Sequence, residues 1–355
     1  MLPADHDRCG RHFRAYSGFA TRPIPQPRPS GILLRELVAG SWTDHLLSTL
    51  STAICDAVAS VVGGPVPLHA PEVSGNEWTY VKECLDTEWV STGGSYVERF
   101  EADLVDFTGA GYCVAAASGT AALHACLMVA GVQRDDEVIV PALTFVATAN
   151  AVSYQGAVPL FADCEQRTLG IDAEKLDAFL ADHAELKGDG CRNRDTGRTI
   201  RALVCMHVYG HPCEVAALAA VCAKGQIVLI EDAAESLGSY FQGRHTGNFG
   251  TLSALSFNGN KLVTTGGGGA ILTNDPELAA KVKHLTTTAK IPHAWEFVHD
   301  DVGYNYRLPN VNAAIGCAQL ENLPRWLGEK RDLAAHYREA FEGIAGIAFF
   351  DEPTE

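Results

Sequence analysis

The stretch YCVAAASGTAALHACLMVA, residues 112–130, decides the fold. Residues 112–117 form an apolar run of strand length, Ser118-Gly119-Thr120 is a small polar break, and 121–130 is an apolar run of helical length. The same unit repeats outward from it. Downstream, 137–141 reads as strand and 144–154 as helix, then 158–163 as strand and 172–183 as helix. The polar stretch 186–199 reads as a surface loop. It is followed by strand at 201–208, helix at 214–223 and strand at 227–232. Further strands fall at 252–257 and 269–273, with a helix at 276–284; upstream, 77–86 reads as a helix. Strand–helix alternation of this kind predicts an α/β fold, a mostly parallel central sheet flanked by helices on both faces. Ligands in such sheets bind beyond the carboxyl ends of the strands.

The chain has 355 residues, enough for about two domains. Residues 1–45 carry six arginines and the prolines 23, 25, 27 and 29 without any period, and are expected to be a poorly ordered extension. Leu46, Leu47, Leu50, Ile54, Val58, Val61 and Val62 then recur at helical spacing until Gly63-Gly64. Residues 46–290 are expected to form the large α/β domain. Residues 291–355, with helices at 310–320 and 324–341, are expected to be the incomplete start of a small C-terminal domain.

Asp plus Glu number 43 against 27 Lys plus Arg, a formal charge of −16. So acidic a body argues against nonspecific nucleic-acid binding, which needs cations to meet phosphates. No run of 18 apolar residues suggests a membrane span, and 1–20 lacks the apolar core of a secretory signal. The chain is therefore read as cytoplasmic. Its eleven cysteines include no Cys-x-x-Cys pair, and Cys126, Cys205 and Cys317 sit in apolar runs. They read as reduced core thiols.

The glycine fingerprint of dinucleotide folds, the P-loop and the G-x-S-x-G elbow are all absent. His207, His211 and Cys213 are close in sequence, but Gly210 and Pro212 break any helix that would align them, and no metal site is expected. Four features remain. Ser118-Gly119-Thr120, between strand and helix, offers free backbone N–H groups and hydroxyls for a phosphate, or simply a helix cap. Phe145 stands at the next strand-to-helix turn, as a ring for stacking or as core. Asp232 ends an apolar strand, placed to pair with a pyridinium nitrogen or to cap the next segment. Lys261 comes after a core strand among small residues, either as a Schiff-base amine or as a solvated loop lysine. Ser256, five residues earlier, could add a hydroxyl to the cradle. Cradle, ring, acid and lysine, in that order, are the parts that hold pyridoxal 5′-phosphate.

The segments SGTAALHA (118–125), PALTFVATANAV (141–152), EDAAESLGS (231–239), LSFNGNKLVTTGGGGAI (255–271) and GYNYRLPNVNAAIG (303–316) together resemble the DegT-type sugar-nucleotide aminotransferases, pyridoxal-phosphate enzymes of fold type I. Within that family, VPLHAPEVSGNEWTYVKECLDTEWVST (66–92) and the glycine run after Lys261 look most like the LegC-like subgroup. The resemblance implies that Lys261 bonds the cofactor and moves the proton between the donor's Cα and cofactor C4′. It implies that Asp232 holds the ring nitrogen protonated, that Phe145 stacks on the ring, and that Gly119, Thr120 and Ser256 bind the phosphate. Glu235 would lie near the ring hydroxyl. Asn305 and Arg307 would reach the phosphate or substrate from a second subunit, making a homodimer with shared sites. Ser91 and Thr92 resemble a substrate-side loop. Relatives that dehydrate sugars carry histidine where Lys261 stands, so lysine favours transamination, with glutamate as amine donor. The implied substrate is a UDP-linked 4-keto-6-deoxy-N-acetylhexosamine on the way to legionaminic-type acids. The alternative is a non-catalytic protein on the same fold. Gly267 departs from the Glu that many members carry there.

Overall fold

A computed structural model describes residues 41–188 and 190–352, with side chains from residue 49. Residues 1–40 of the expected N-terminal extension lie outside the described residues. The chain divides into two units at Asp56/Ala57. α1 (Ser41–Val62) begins in the first of them, and the second holds the rest of the chain.

α2 (Glu77–Asp86) is followed by α3 (Ser95–Thr108), a helix absent from the sequence expectations. α3 buries Tyr96, Val97, Phe100 and Leu104, a helical stripe. Then come β1 (Tyr112–Ala116), α4 (Gly119–Val129), β2 (Glu137–Pro141), α5 (Val146–Tyr154), β3 (Val158–Ala162) and α6 (Ala173–His183). The expected loop at 186–199 is a correction. β4 (Ala184–Lys187) and β5 (Gly190–Asn193) make an antiparallel hairpin, and β5 pairs with the next strand, β6 (Thr199–Met206). Its polar composition is that of an edge, where one face and one side meet water.

α7 (Val215–Gly225), β7 (Val228–Asp232), a small hairpin of β8 (Tyr240–Phe241) and β9 (Arg244–His245), β10 (Leu252–Ser256), β11 (Gly269–Thr273) and α8 (Pro276–Thr286) complete the α/β body. The two helices expected at 310–320 and 324–341 are one, α9 (Asn310–Phe341), with Pro324 inside it. Proline removes one helical hydrogen bond and costs about 3 kcal/mol. Here Leu323 and Trp326 flank it in the core, and their burial offsets that cost.

The main path of the sheet runs β1-β11-β10-β7-β6-β2-β3. β3, β2, β6, β7 and β10 are mutually parallel, and β11 is antiparallel to both its neighbours, so β1 runs with the parallel set. Alternation along each strand sends residues to two faces. Val114, Val138, Val140, Val204 and Ile230 pack under α4, α5 and α8. Ile139, Leu203 and Leu229 pack under α6 and α7, whereas Ala115, Leu255 and Leu272 pack under α2, α3 and α9. All the parallel strands therefore end at one edge, where Ser118, Phe145, Asp232 and Lys261 lie.

Candidate active site

Ser118 caps α4: its backbone is extended and its hydroxyl accepts the Ala121 N–H at 3.1 Å. Gly119 packs directly against the end of β10. A Cβ built on it would meet Ser256 Cβ at 2.8 Å and Oγ at 3.1 Å. Behind the turn, a Cβ on Gly269 would meet Ser118 C at 2.5 Å and Gly119 N at 2.7 Å. Ser256 and Gly269 are themselves paired across β10 and β11. Helix start, Ser256 hydroxyl and glycine strand thus meet at van der Waals limits, the close backbone approach that a phosphate cradle needs. Thr120 comes next, half-buried in the first turn of α4.

Asp232, the last residue of β7, is 3% exposed. Its Oδ2 accepts the Thr148 hydroxyl at 2.7 Å and its Oδ1 the Ala234 N–H at 3.2 Å. Burial pushes its pKa up from the usual carboxylate value, against the Thr148 and Ala234 bonds and the nearby charges of His207 and Lys261. A buried carboxylate with so few donors gains from a cationic partner, and a protonated pyridine ring is one. The sequence pattern gives no sign of Thr148. Its partner lies 84 residues away, and nothing in its local surroundings marks it.

Lys261 sits in the turn after β10, its N–H bonded to Asn258 O at 3.0 Å. Its Nζ donates to Glu235 Oε1 at 2.7 Å, and the two side chains are only 17% and 27% exposed. The lysine is therefore neither solvated nor free. Phe145, at the start of α5, is 65% exposed, so it is not a core ring. Thr144 beside it bonds Thr148, the residue that holds Asp232.

Beneath this edge Glu231 points to the other face, fully buried. It accepts His207 Nε2 at 3.0 Å and the N–H groups of Gly247, Phe249 and Gly250 at 2.6–2.7 Å. Burial opposes its ionisation, but His207 and these amides hold it below the usual range. His207 Nδ1 accepts the Cys213 N–H at 3.2 Å. The ligand atoms of Cys205, His207 and Cys213 lie within 4.8 Å of one another, but both nitrogens of His207 are already engaged. The imidazole acts as a strut. The ten described cysteines are free thiols, with Cys126, Cys205 and Cys317 buried.

The remaining expected residues lie on two further segments. Ser91 O accepts the Asn310 N–H at 2.6 Å, which ties the Ser91–Thr92 loop to the start of α9. The Asn310 side chain reinforces this, accepting the Tyr96 N–H at 3.1 Å and donating to Trp89 O at 2.7 Å. Its role was not legible in the sequence. Asn305 and Arg307 are side by side: the guanidinium donates to Asn305 Oδ1 at 3.2 Å. Arg307 pairs with Ala116, so the segment lies beside the end of β1 that leads into the cradle.

Comparison with known proteins identifies the family. Residues 71–355 match the DegT/DnrJ/EryC1/StrS aminotransferase family. The chain belongs to that family. It is 36% identical over 282 residues to GDP-perosamine synthase of Escherichia coli O157:H7, covering 79% of this chain and 73% of that protein. The aminotransferase TlmJ of Streptoalloteichus hindustanus superposes with a TM-score of 0.73 at 28% identity, over 82% of this chain and 76% of the other. Helicobacter pylori PseC, an aminotransferase involved in pseudoaminic acid biosynthesis, gives 0.70 at 27%, over 79% and 71%. The fold is that of the fold-type I pyridoxal-phosphate aminotransferases, and the chain is a sugar aminotransferase that uses this cofactor. The glycine cradle against Ser256, the buried Asp232 and the shielded Lys261 fit that group.

Proposed function

We propose that the chain moves an amino group from glutamate to C4 of a nucleotide-linked 4-keto-6-deoxy sugar. The observation that carries this reading is Lys261 Nζ, held by Glu235 at 2.7 Å at the strand-end edge that also presents Asp232 and the Gly119 cradle. Pyridoxal phosphate, when bound, supplies the electron sink and carries the amino group between half-reactions. Asp232 holds the proton on its ring nitrogen. Gly119 N–H, Thr120 and Ser256 hold its phosphate, and the exposed Phe145 ring stacks on it. Lys261 Nζ takes the proton from the donor's Cα and returns it on the far side of the transfer, while Glu235 orients the amine and lies toward the ring hydroxyl. Ser91 and Thr92 face the substrate. Asn305 and Arg307 complete the site of a second subunit, so the active form is a homodimer; a fully active monomer in sedimentation overturns that part.

Two nucleotides are in play. Likeness of residues 66–92 to the LegC-like subgroup supports a UDP-linked N-acetylhexosamine and a legionaminic-type product. The 36% identity to a GDP-perosamine synthase supports a GDP-linked sugar. No helix among the described residues is long and apolar enough to cross a membrane, and we place the enzyme in the cytoplasm with its nucleotide substrate. The test is ¹⁵N transfer from labelled glutamate to each keto-sugar, read by mass spectrometry. Label in the UDP sugar supports the first reading, label in the GDP sugar alone the second. Cofactor binding with label in neither supports the non-catalytic alternative.

A further inference from the structure

α4 carries the cradle at its first turn, and its sequence GTAALHACLMV is apolar except for the Thr120 hydroxyl and one imidazole. That imidazole, His124, is only 4% exposed. Its Nδ1 lies 3.0 Å from the Tyr306 hydroxyl, and its Nε2 is buried with no hydrogen-bond partner. The rings of Tyr154, Tyr304 and Tyr306 enclose it at centroid distances of 5.2–5.8 Å. Burying an imidazole half-satisfied is unfavourable, and a leucine would fill the space without that cost. The residue is retained for the bond it does make.

That bond ends on the segment bearing Asn305 and Arg307. Backbone contacts clamp the segment on both sides: the Ala117 N–H donates to Tyr306 O at 2.7 Å, and the Tyr306 N–H to Thr286 O at 3.0 Å. Bridges join Ala116 to Arg307 and Thr287 to Asn305. In an extended chain alternate residues face opposite ways. Tyr304 and Tyr306 turn in against His124, and Asn305 and Arg307 turn out, exposed and joined to each other. Arg307 has no carboxylate partner among the described residues. An outward guanidinium braced by a carboxamide suits a phosphate oxygen.

We propose that His124 is a positioning residue: through the Tyr306 hydroxyl it fixes Asn305 and Arg307 for a phosphate ligand. This rests on the proposed role of Asn305 and Arg307 as phosphate contacts. The bond makes one rigid unit of the cradle helix, with Thr120 one turn before His124, and the outward pair. Burial pushes the His124 pKa down, so the bond joins two neutral groups near pH 7. The phosphate has two sources, the cofactor and the diphosphate of the nucleotide sugar, and two constants separate them.

Tyr306→Phe deletes one hydroxyl and keeps the ring. It should raise either the Kd for pyridoxal phosphate or the KM for the nucleotide sugar about tenfold, as loss of a positioning hydrogen bond implies, with kcat changed less than about twofold. A rise in Kd assigns the cofactor phosphate; a rise in KM alone assigns the substrate diphosphate. His124→Leu should behave alike, and His124→Asn, whose amide can take the place of Nδ1, should restore most of the loss. These two variants carry the test if Tyr306→Phe does not fold. In an Arg307→Ala background, Tyr306→Phe should add nothing further. Full additivity there, or a Tyr306→Phe enzyme with both constants unchanged, overturns this inference alone. An Arg307→Ala enzyme with both constants unchanged overturns the phosphate reading of Arg307 and this inference with it.

Discussion

Replacing Gly119 with alanine tests the cradle most sharply, because its clearances are known. The new Cβ lies 2.8 Å from Ser256 Cβ, 3.1 Å from its Oγ and 3.4 Å from Leu255 O. Carbon atoms pack best at about 3.5–4.0 Å, so the overlap is about 0.7 Å or more. Neither side can retreat easily. Ser256 is held by its pairing with Gly269, and Gly269 itself has no room behind the Ser118–Gly119 turn. Overpacking of this kind costs about 1–3 kcal/mol. Alanine returns at most about 1 kcal/mol of helix propensity, less at a first helical residue. The expected net loss is about 1–2 kcal/mol, read as a fall in the denaturation midpoint of the apoprotein at constant m-value. Ser256→Gly added to it removes both of the worst contacts and leaves only Leu255 O. Stability should then recover by most of the loss, while affinity for pyridoxal phosphate, weakened when Ser256 is displaced, should stay low because the hydroxyl is gone. A Gly119→Ala protein as stable as the parent, or a double variant without recovery, refutes the packing argument.

The buried titratable groups give two further expected outcomes. Asp232→Asn keeps an acceptor for Thr148 and removes a carboxylate whose pKa burial raises. The apoprotein should be as stable or more so, by about 1 kcal/mol, in thermal melts, while stopped-flow amine transfer falls by about 100-fold or more. His245 is buried, with Gly238 N–H on its Nε2, and burial lowers its pKa from 6.5 to about 4. The unfolded chain then binds the proton first, so stability falls as pH drops from about 6.5 toward 4, by about 3 kcal/mol in all. Asp232, raised rather than lowered, works in the opposite sense, so the comparison is made at matched pH: urea midpoints of His245→Gln should fall less steeply with acid than the parent's.

What the sequence made legible was whatever chemistry is written locally. Runs such as Val138-Ile139-Val140 declare strands by composition, and their ends deliver Ser118, Phe145, Asp232 and Lys261 to one edge once the sheet is parallel. The exposure of Phe145 and the shielding of Lys261 each settle which of two open readings holds. The β4–β5 hairpin was hidden because its polar residues take their register from β6 rather than from their own pattern. α9 was split at Pro324 because local propensity opposes it, and only the buried neighbours Leu323 and Trp326 outweigh that. His124, Thr148 and Asn310 were silent for another reason. Their partners Tyr306, Asp232 and Trp89 lie 182, 84 and 221 residues away, and only folding brings them together.

The central claim is that Lys261 is the reacting amine of a pyridoxal-phosphate site that accepts nitrogen from glutamate. The most direct measurement is the visible absorption spectrum of the purified protein with pyridoxal phosphate, before and after glutamate, beside the Lys261→Ala variant. The account expects a lysine-dependent visible band that glutamate bleaches, and no such band in the variant. A folded protein with no band, or a band and amine transfer that survive in Lys261→Ala, contradicts it.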